Sequence, residues 1–223
     1  MVHIQKNAPP MELIQARRNG LVDYNGMDTP TKDAIKSNLL TEQYHLCAYC
    51  MRRIKLDSMQ IEHYIAQNPK DADGYQIGQS VDYNNMLGVC QGDKKTAHSL
   101  KNLTCDQHRQ NEPLTVDPRD PHIEDVIRYK DDGTICSRNK DINRDLDEIL
   151  NLNCPASRLK ENRKAALDAL KKKVAGQYGG KSITKAEWER IYKHIDMPEQ
   201  EKKLEYIGIL RWYIKRKIQQ SVR

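Results

Sequence analysis

Phenylalanine is absent from this chain, and tyrosine carries most of the small aromatic content, with eleven residues against two tryptophans. No stretch approaches the ~18 consecutive apolar residues of a membrane-spanning helix, so no membrane-embedded helix is expected. The opening Met1-Val2-His3-Ile4-Gln5-Lys6 lacks the apolar centre of a secretion signal, and a cytoplasmic location follows as the expectation. No internal repeat and no long low-complexity segment occurs, so a repeat array is not expected either. Without a secretion signal, the six cysteines read as reduced thiols and, where clustered, as metal ligands.

What is present suits one large domain, or a smaller core with an appended helical part, in 223 residues. Hydrophobic residues make up 38% and charged residues 30%, which implies a core small relative to its surface. The formal charge of +6 fits a polyanionic partner, although mildly basic proteins without one are common.

Four regions can be read along the chain. Residues 1–30, broken by Pro9, Pro10, Gly20, Gly26 and Pro30, read as an N-terminal arm with a short helix around Met11–Arg18. Residues 31–112 form the expected core. There Thr31 should cap a helix from Lys32 to about Tyr44, with Ile35, Leu39 and Leu40 on one face. Met51 to Gln67 predicts short strands or a hairpin, residues 70–82 a loop, and Asn84 to Val89 a compact segment closed by Cys90. A lysine-rich insertion, Gln91 to Thr104, precedes a short helix from Cys105. In residues 113–140, Val126–Tyr129 and Thr134–Cys136 flank Asp131-Asp132-Gly133, a hairpin signal. Residues 141–223 are helical in pattern. Thr184 or Ser182 should cap a helix to His194, and Pro198 should open a last helix carrying Leu204, Ile207, Leu210, Ile214 and Ile218.

The chemistry concentrates between Cys47 and Arg109. Cys47-Ala48-Tyr49-Cys50 has the spacing of a zinc knuckle. Cys90 and Cys105 could complete a tetrahedral site, though fourteen residues separate them and four ordinary buried thiols remain the plain alternative. Between the pairs lies Ile61-Glu62-His63-Tyr64-Ile65. On a strand Glu62 and His63 would face opposite ways, but at a strand end both could address one group. Asn85 follows, and Cys105-Asp106-Gln107-His108-Arg109 brings a carboxylate, an imidazole and a guanidinium together. Lys94, Lys95 and Lys101 of the insertion either track a nucleic-acid backbone or form a solvated loop. The basic and aromatic run Arg211–Lys217 reads mainly as a helix with a solvated cationic face.

This order of residues resembles the HNH (ββα-metal) endonucleases. More narrowly, it is similar to the HNH proteins paired with a companion ATPase in bacterial antiphage systems: the PtuB component of Septu and the retron-associated effectors. The resemblance rests on the Cys47–Cys50 knuckle, Ile61-Glu62-His63, Tyr83-Asn84-Asn85-Met86-Leu87 with Cys90, and Cys105-Asp106 with Arg109. Pro118, Tyr129 with Gly133, and Leu150-Asn151-Leu152-Asn153 with Leu159 and Arg163 extend it weakly.

It implies an α+β fold: a ββα-metal core with a structural Zn²⁺ on Cys47, Cys50, Cys90 and Cys105, set in a mostly helical chain. It implies His63 as general base, Asn85 holding the loop that places it, and Glu62 and Asp106 as oxygen ligands of a catalytic Mg²⁺ or Mn²⁺. His108 is the alternative to Asp106. Arg109, Lys94 and Lys95 would bind phosphate. Glu62 stands where many relatives carry Asp, and Asp106 where many carry His or Asn. The implied partners are a DNA or RNA substrate, a companion ABC/SMC-like ATPase of the PtuA type, and a retron reverse transcriptase with its msDNA. The helical region after residue 140 would be the docking surface. The competing class is a zinc-stapled nucleic-acid-binding or adaptor subunit without cleavage activity.

Overall fold

The structure, a computed structural model, describes residues 1–67, 78–95 and 97–221. It is a mixed α and β architecture. The elements run α1 (Met11–Arg18), α2 (Thr29–Glu42), β1 (Met59–His63), β2 (Met86–Cys90) and α3 (Cys105–Arg109), then α4 (Ile123–Val126), β3 (Ile127–Tyr129) and β4 (Ile135–Ser137). Four further helices follow: α5 (Lys140–Arg144), α6 (Leu159–Tyr178), α7 (Lys185–Asp196) and α8 (Ile207–Gln220). Most of the loop expected at 70–82 lies outside the described residues; its end, Gln79–Val81, is a turn of 3₁₀ helix.

Helix α2 starts earlier than the sequence suggests. Asp28, in extended backbone, accepts a hydrogen bond from the Thr31 N–H at 2.9 Å, and Pro30 supplies a preset φ in the first turn. Thr31 is thus inside the helix and buried, and Asp28 is the cap. The apolar face of Ile35, Leu39 and Leu40 then packs towards the β1–β2 pair.

β1 and β2 pair antiparallel in the register Met59↔Cys90, Glu62↔Leu87 and His63↔Met86. Every residue of β2 is buried, because α2 and α3 both pack against it. The lysine-rich insertion leaves the end of β2 and returns to the start of α3 through a closed base. Thr104 N–H donates to the Gly92 carbonyl at 3.0 Å, and Thr104 Oγ1 donates to Asp93 at 2.9 Å. Gly92 has φ +55°, and a Cβ there would lie 2.3 Å from the Thr104 oxygen, so this closure requires glycine.

Residues near both ends of the described chain are buried in the core. Met1, Ile4, Leu13 and Met27 are buried, and Ile4 N–H donates to the Pro118 carbonyl at 2.8 Å. Apolar residues scattered among prolines and glycines show no helical or strand period, so the sequence hides their burial. At the other end, Leu150 accepts the Cys105 N–H at 2.8 Å, and the Asp145 carboxylate accepts the Val116 N–H at 2.8 Å. Arg163 of α6 is fully buried and donates to the carbonyls of Gly133 (2.6 Å) and Leu152 (2.9 Å). Residues 141–221 therefore pack onto the same core as the rest of the described chain.

Thr184 caps α7 with a full capping box to Glu187. Pro198 does not open the last helix. Glu199 and Lys202 form a small bridge, and α8 begins only after Tyr206. Leu204, expected on the apolar stripe, is therefore exposed.

The β3–β4 hairpin forms where Asp131-Asp132-Gly133 predicts it. Gly133 has φ +87°, and a Cβ would lie 2.1 Å from the Lys160 carbonyl oxygen of α6. Gly133→Ala should therefore lower stability by about 2–4 kcal/mol, the range of a strained, overpacked backbone position. A denaturant titration that finds the variant as stable as the parent would show that the hairpin does not press on α6.

Candidate active site

The four expected cysteines converge although they come from three segments. The knuckle supplies Cys47 and Cys50, the last residue of β2 supplies Cys90, and the first residue of α3 supplies Cys105. All four are buried, and their sulfurs lie within 4.8 Å of one another. The Cys50–Cys90 and Cys90–Cys105 Sγ separations are 3.7 Å and that of Cys47–Cys105 is 3.9 Å. Zinc–sulfur bonds of about 2.3 Å in tetrahedral geometry put the sulfurs about 3.8 Å apart, so the cluster suits a zinc ion. None of the six cysteines is in a disulfide. The Cys90 N–H donates to Cys47 Sγ at 3.3 Å, a bond that favours thiolate on that sulfur. Burial opposes ionisation of Cys47, yet the three neighbouring thiols outweigh it and push Cys47 well below the ordinary thiol range. The neighbouring sulfurs push Cys105 well up. Sulfurs this close can all ionise only around a cation.

Tyr49, between the two knuckle cysteines, points the other way. Its hydroxyl donates to Glu62 Oε1 at 3.1 Å. The same oxygen is ion-paired with Arg109 Nη1, and both side chains are buried. The Asp106 carboxyl lies beside that of Glu62. Burial and the Asp106 carboxyl hold Glu62 well above the usual carboxylate range, against the pull of Arg109. Two carboxyls facing one guanidinium leave a deficit of one positive charge, which a shared proton or a hard cation fills. Because α3 starts at Cys105, the sulfur cluster itself carries Asp106 to this place.

His63 is the last residue of β1. Its Nε2 lies 2.9 Å from the Ser80 carbonyl, so Nε2 carries the proton and Nδ1 keeps its lone pair. Gln67 Nε2 lies 2.9 Å from that Nδ1 and donates to it. The Tyr24 ring meets the imidazole edge-on at 4.9 Å. Burial pushes the imidazole below its ordinary value, which keeps it neutral. Asn85 fixes the strand exit: Ile65 N–H donates to its Oδ1 at 2.7 Å, and its Nδ2 donates to the Ile65 carbonyl at 3.0 Å. Among the described residues, only the four cysteines form a group of three or more potential metal ligands this close, so His63 is not gathered into the Glu62–Asp106 pair. It senses the Asp106 charge at longer range.

The expected phosphate role of Arg109 is corrected. It is 1% exposed, and its guanidinium donates to the carbonyls of Glu112 (2.8 Å), His63 (3.2 Å) and Tyr64 (2.5 Å) as well as to Glu62. Such a group holds Glu62 and the end of α3 in place. Lys94 and Lys95 are exposed on the insertion. His108 Nδ1 lies 2.9 Å from the Ile149 carbonyl, whereas the group beside Glu62 is Asp106. Tyr49 and Gln67 are the site residues that sequence reading missed. Only the placing of a tyrosine inside the knuckle offered any signal.

No family model matches the chain. It is similar to the "Retron Vc95 putative HNH endonuclease" of Vibrio cholerae serotype O1 biovar El Tor, 26% identical over 144 residues, or 62% of this chain and 66% of that protein. The chain thus spans just under two thirds of that relative's length. The relative bears out the resemblance to HNH endonucleases read from the motifs, in a retron context.

Purified protein should carry one zinc per chain by elemental analysis, and a chelator should release it while unmasking four thiols and abolishing cooperative unfolding. Metal-free protein with an unchanged melting curve would remove zinc from the structure's stability. Arg109→Met leaves Glu62 buried without its counter-charge, with an expected cost of about 3–5 kcal/mol in thermal or denaturant unfolding. A phosphate-binding arginine would instead change affinity and leave stability alone.

Proposed function

We propose that this chain is a metal-dependent endonuclease of the HNH type that hydrolyses nucleic-acid phosphodiesters. The observation that carries this reading is the meeting of two groups at one end of β1. One is the Glu62–Asp106 carboxyl pair, built onto the four-sulfur cluster. The other is a buried neutral histidine whose tautomer is fixed by a backbone carbonyl and which feels the Asp106 charge. A protein that only binds nucleic acid needs neither.

In this reading the order β1, β2, α3 is the ββα-metal core, and the cysteines hold a structural zinc. Glu62 and Asp106 would hold one Mg²⁺ or Mn²⁺, since paired carboxylates suit a hard cation. Bound there, the ion supplies Lewis-acid stabilisation of charge on the phosphate and the leaving oxygen. His63 takes a proton from the attacking water at Nδ1, the nitrogen that keeps its lone pair. Gln67 must first move aside, because its amide covers that nitrogen. Asn85 and the Ser80 carbonyl orient the ring, Tyr49 and Arg109 hold Glu62, and Lys94 and Lys95 meet the flanking backbone.

The biological setting we propose is bacterial antiviral defence of the retron or Septu type, supported by the name of the Vibrio relative. A companion ATPase, together with retron components, would restrain or direct the nuclease. Among the described residues no helix is long and apolar enough to cross a membrane.

At least one of plasmid, single-stranded DNA and RNA should be cut in Mg²⁺ or Mn²⁺, by the chain alone or with its partner. His63→Ala and Asp106→Ala should each lower the rate by roughly 10²–10⁴. Binding with no cleavage under any of these conditions would favour the adaptor reading.

A further inference from the structure

Beside Asp106 the surface sinks into a cavity of about 700 Å³. One wall is the end of the insertion, with Lys94, Leu100 and Leu103; the other is α3 and its exit, with Asp106, Gln107 and Gln110. The volume lies in the range of ligand sites and is out of proportion to a single metal ion.

The insertion wall is braced from below. Asn151 Nδ2 donates to the carbonyls of Lys101 and Leu103, each at 2.9 Å, which pins the 3₁₀ turn Leu100–Asn102. Gln107 Nε2 donates to Gln60 Oε1 at 2.8 Å, tying the other wall to β1. The turn therefore holds its shape without a ligand. It presents Leu100, a large apolar side chain that is 70% exposed, while Leu103 is buried behind it. A solvated lysine-rich loop gains nothing by holding a leucine out in water. As the lip of a cavity it offers an apolar contact for something flat. The amide of Gln110 offers donors and an acceptor, Gln107 offers its oxygen, and Lys94 a cation at the rim.

An apolar lip, amide hydrogen-bonding groups and a peripheral cation correspond in order to the face, the edge and the phosphate of a nucleotide. Inside a duplex, both faces of a base are stacked and its pairing edge is occupied, so only an unpaired base can use such a cavity. Resting on the nuclease reading above, we propose that this cavity receives an unpaired nucleobase next to the phosphate that a cation on Glu62 and Asp106 would bind, which makes single-stranded or locally unpaired nucleic acid the substrate.

The test uses full-length protein carrying His63→Ala to prevent cutting. Short oligonucleotides with 5-iodouracil at each position in turn are irradiated with it, as DNA and as RNA. Cross-linked peptides are then mapped by mass spectrometry. The expected result is cross-linking to peptides spanning residues 97–111 from single strands and not from the matching duplex. Leu100→Ala with Gln110→Ala, both at exposed positions, should lower that cross-link and the affinity on the order of fivefold, the low end for one stacked base. Whichever sugar gives the cross-link identifies the strand as DNA or RNA. Strands that bind but cross-link only elsewhere, or a duplex that cross-links equally, would overturn the cavity assignment and leave the nuclease reading standing. Failure of every strand and duplex to bind would bring down both.

Discussion

Four sulfur atoms drawn to within 4.8 Å of each other are the constraint on which the site depends. They join a knuckle, the end of a strand and the start of a helix, segments that share little other regular structure. Three of the four sulfurs have a residue of the site beside them in the chain. Tyr49 sits between Cys47 and Cys50 and reaches Glu62, and Asp106 follows Cys105. The carboxyl pair is therefore a by-product of sulfur geometry.

The site also trades stability for chemistry. A buried guanidinium–carboxylate pair is weak as a stabiliser because both groups lose their hydration. Here a second carboxyl is placed next to the first, so even the completed pair is short of positive charge. Apolar residues of similar volume would fill this space with less penalty. Such an arrangement makes sense where a bound cation is the intended balance, and it is consistent with the tight hydrogen bonding of Arg109 by surrounding carbonyls.

Parts of this were legible in the sequence for a physical reason. Metal ligands need reactive side chains at short, characteristic spacings, so the knuckle and the Glu62–His63 dipeptide stood out. The β3–β4 hairpin was legible because Gly133 supplies a φ that other residues resist. What could not be read was burial. An arginine after a metal-site cysteine has the same letters whether it faces phosphate or, like Arg109, is enclosed by carbonyls. Residues 1–30 looked like an arm because proline and glycine break any period, yet Leu13 is wholly buried. Asp28 and Thr31 are both good caps on paper, and only the backbone path decides between them. Gln67 escaped notice because its partner, His63, is visible only once the strand exit is bent.

The closed base of the insertion has one more consequence. Gly92, Asp93 and Thr104 meet below it, so Cys90 and Cys105 are brought together by contacts at its base. The entropy of closing such a loop rises only slowly with its length. Residues between that clasp can thus be exchanged, lengthened or shortened while the metal scaffold stays as it is. The segment is a natural place for such proteins to vary, and for an engineer to graft a different loop onto an unchanged four-cysteine frame.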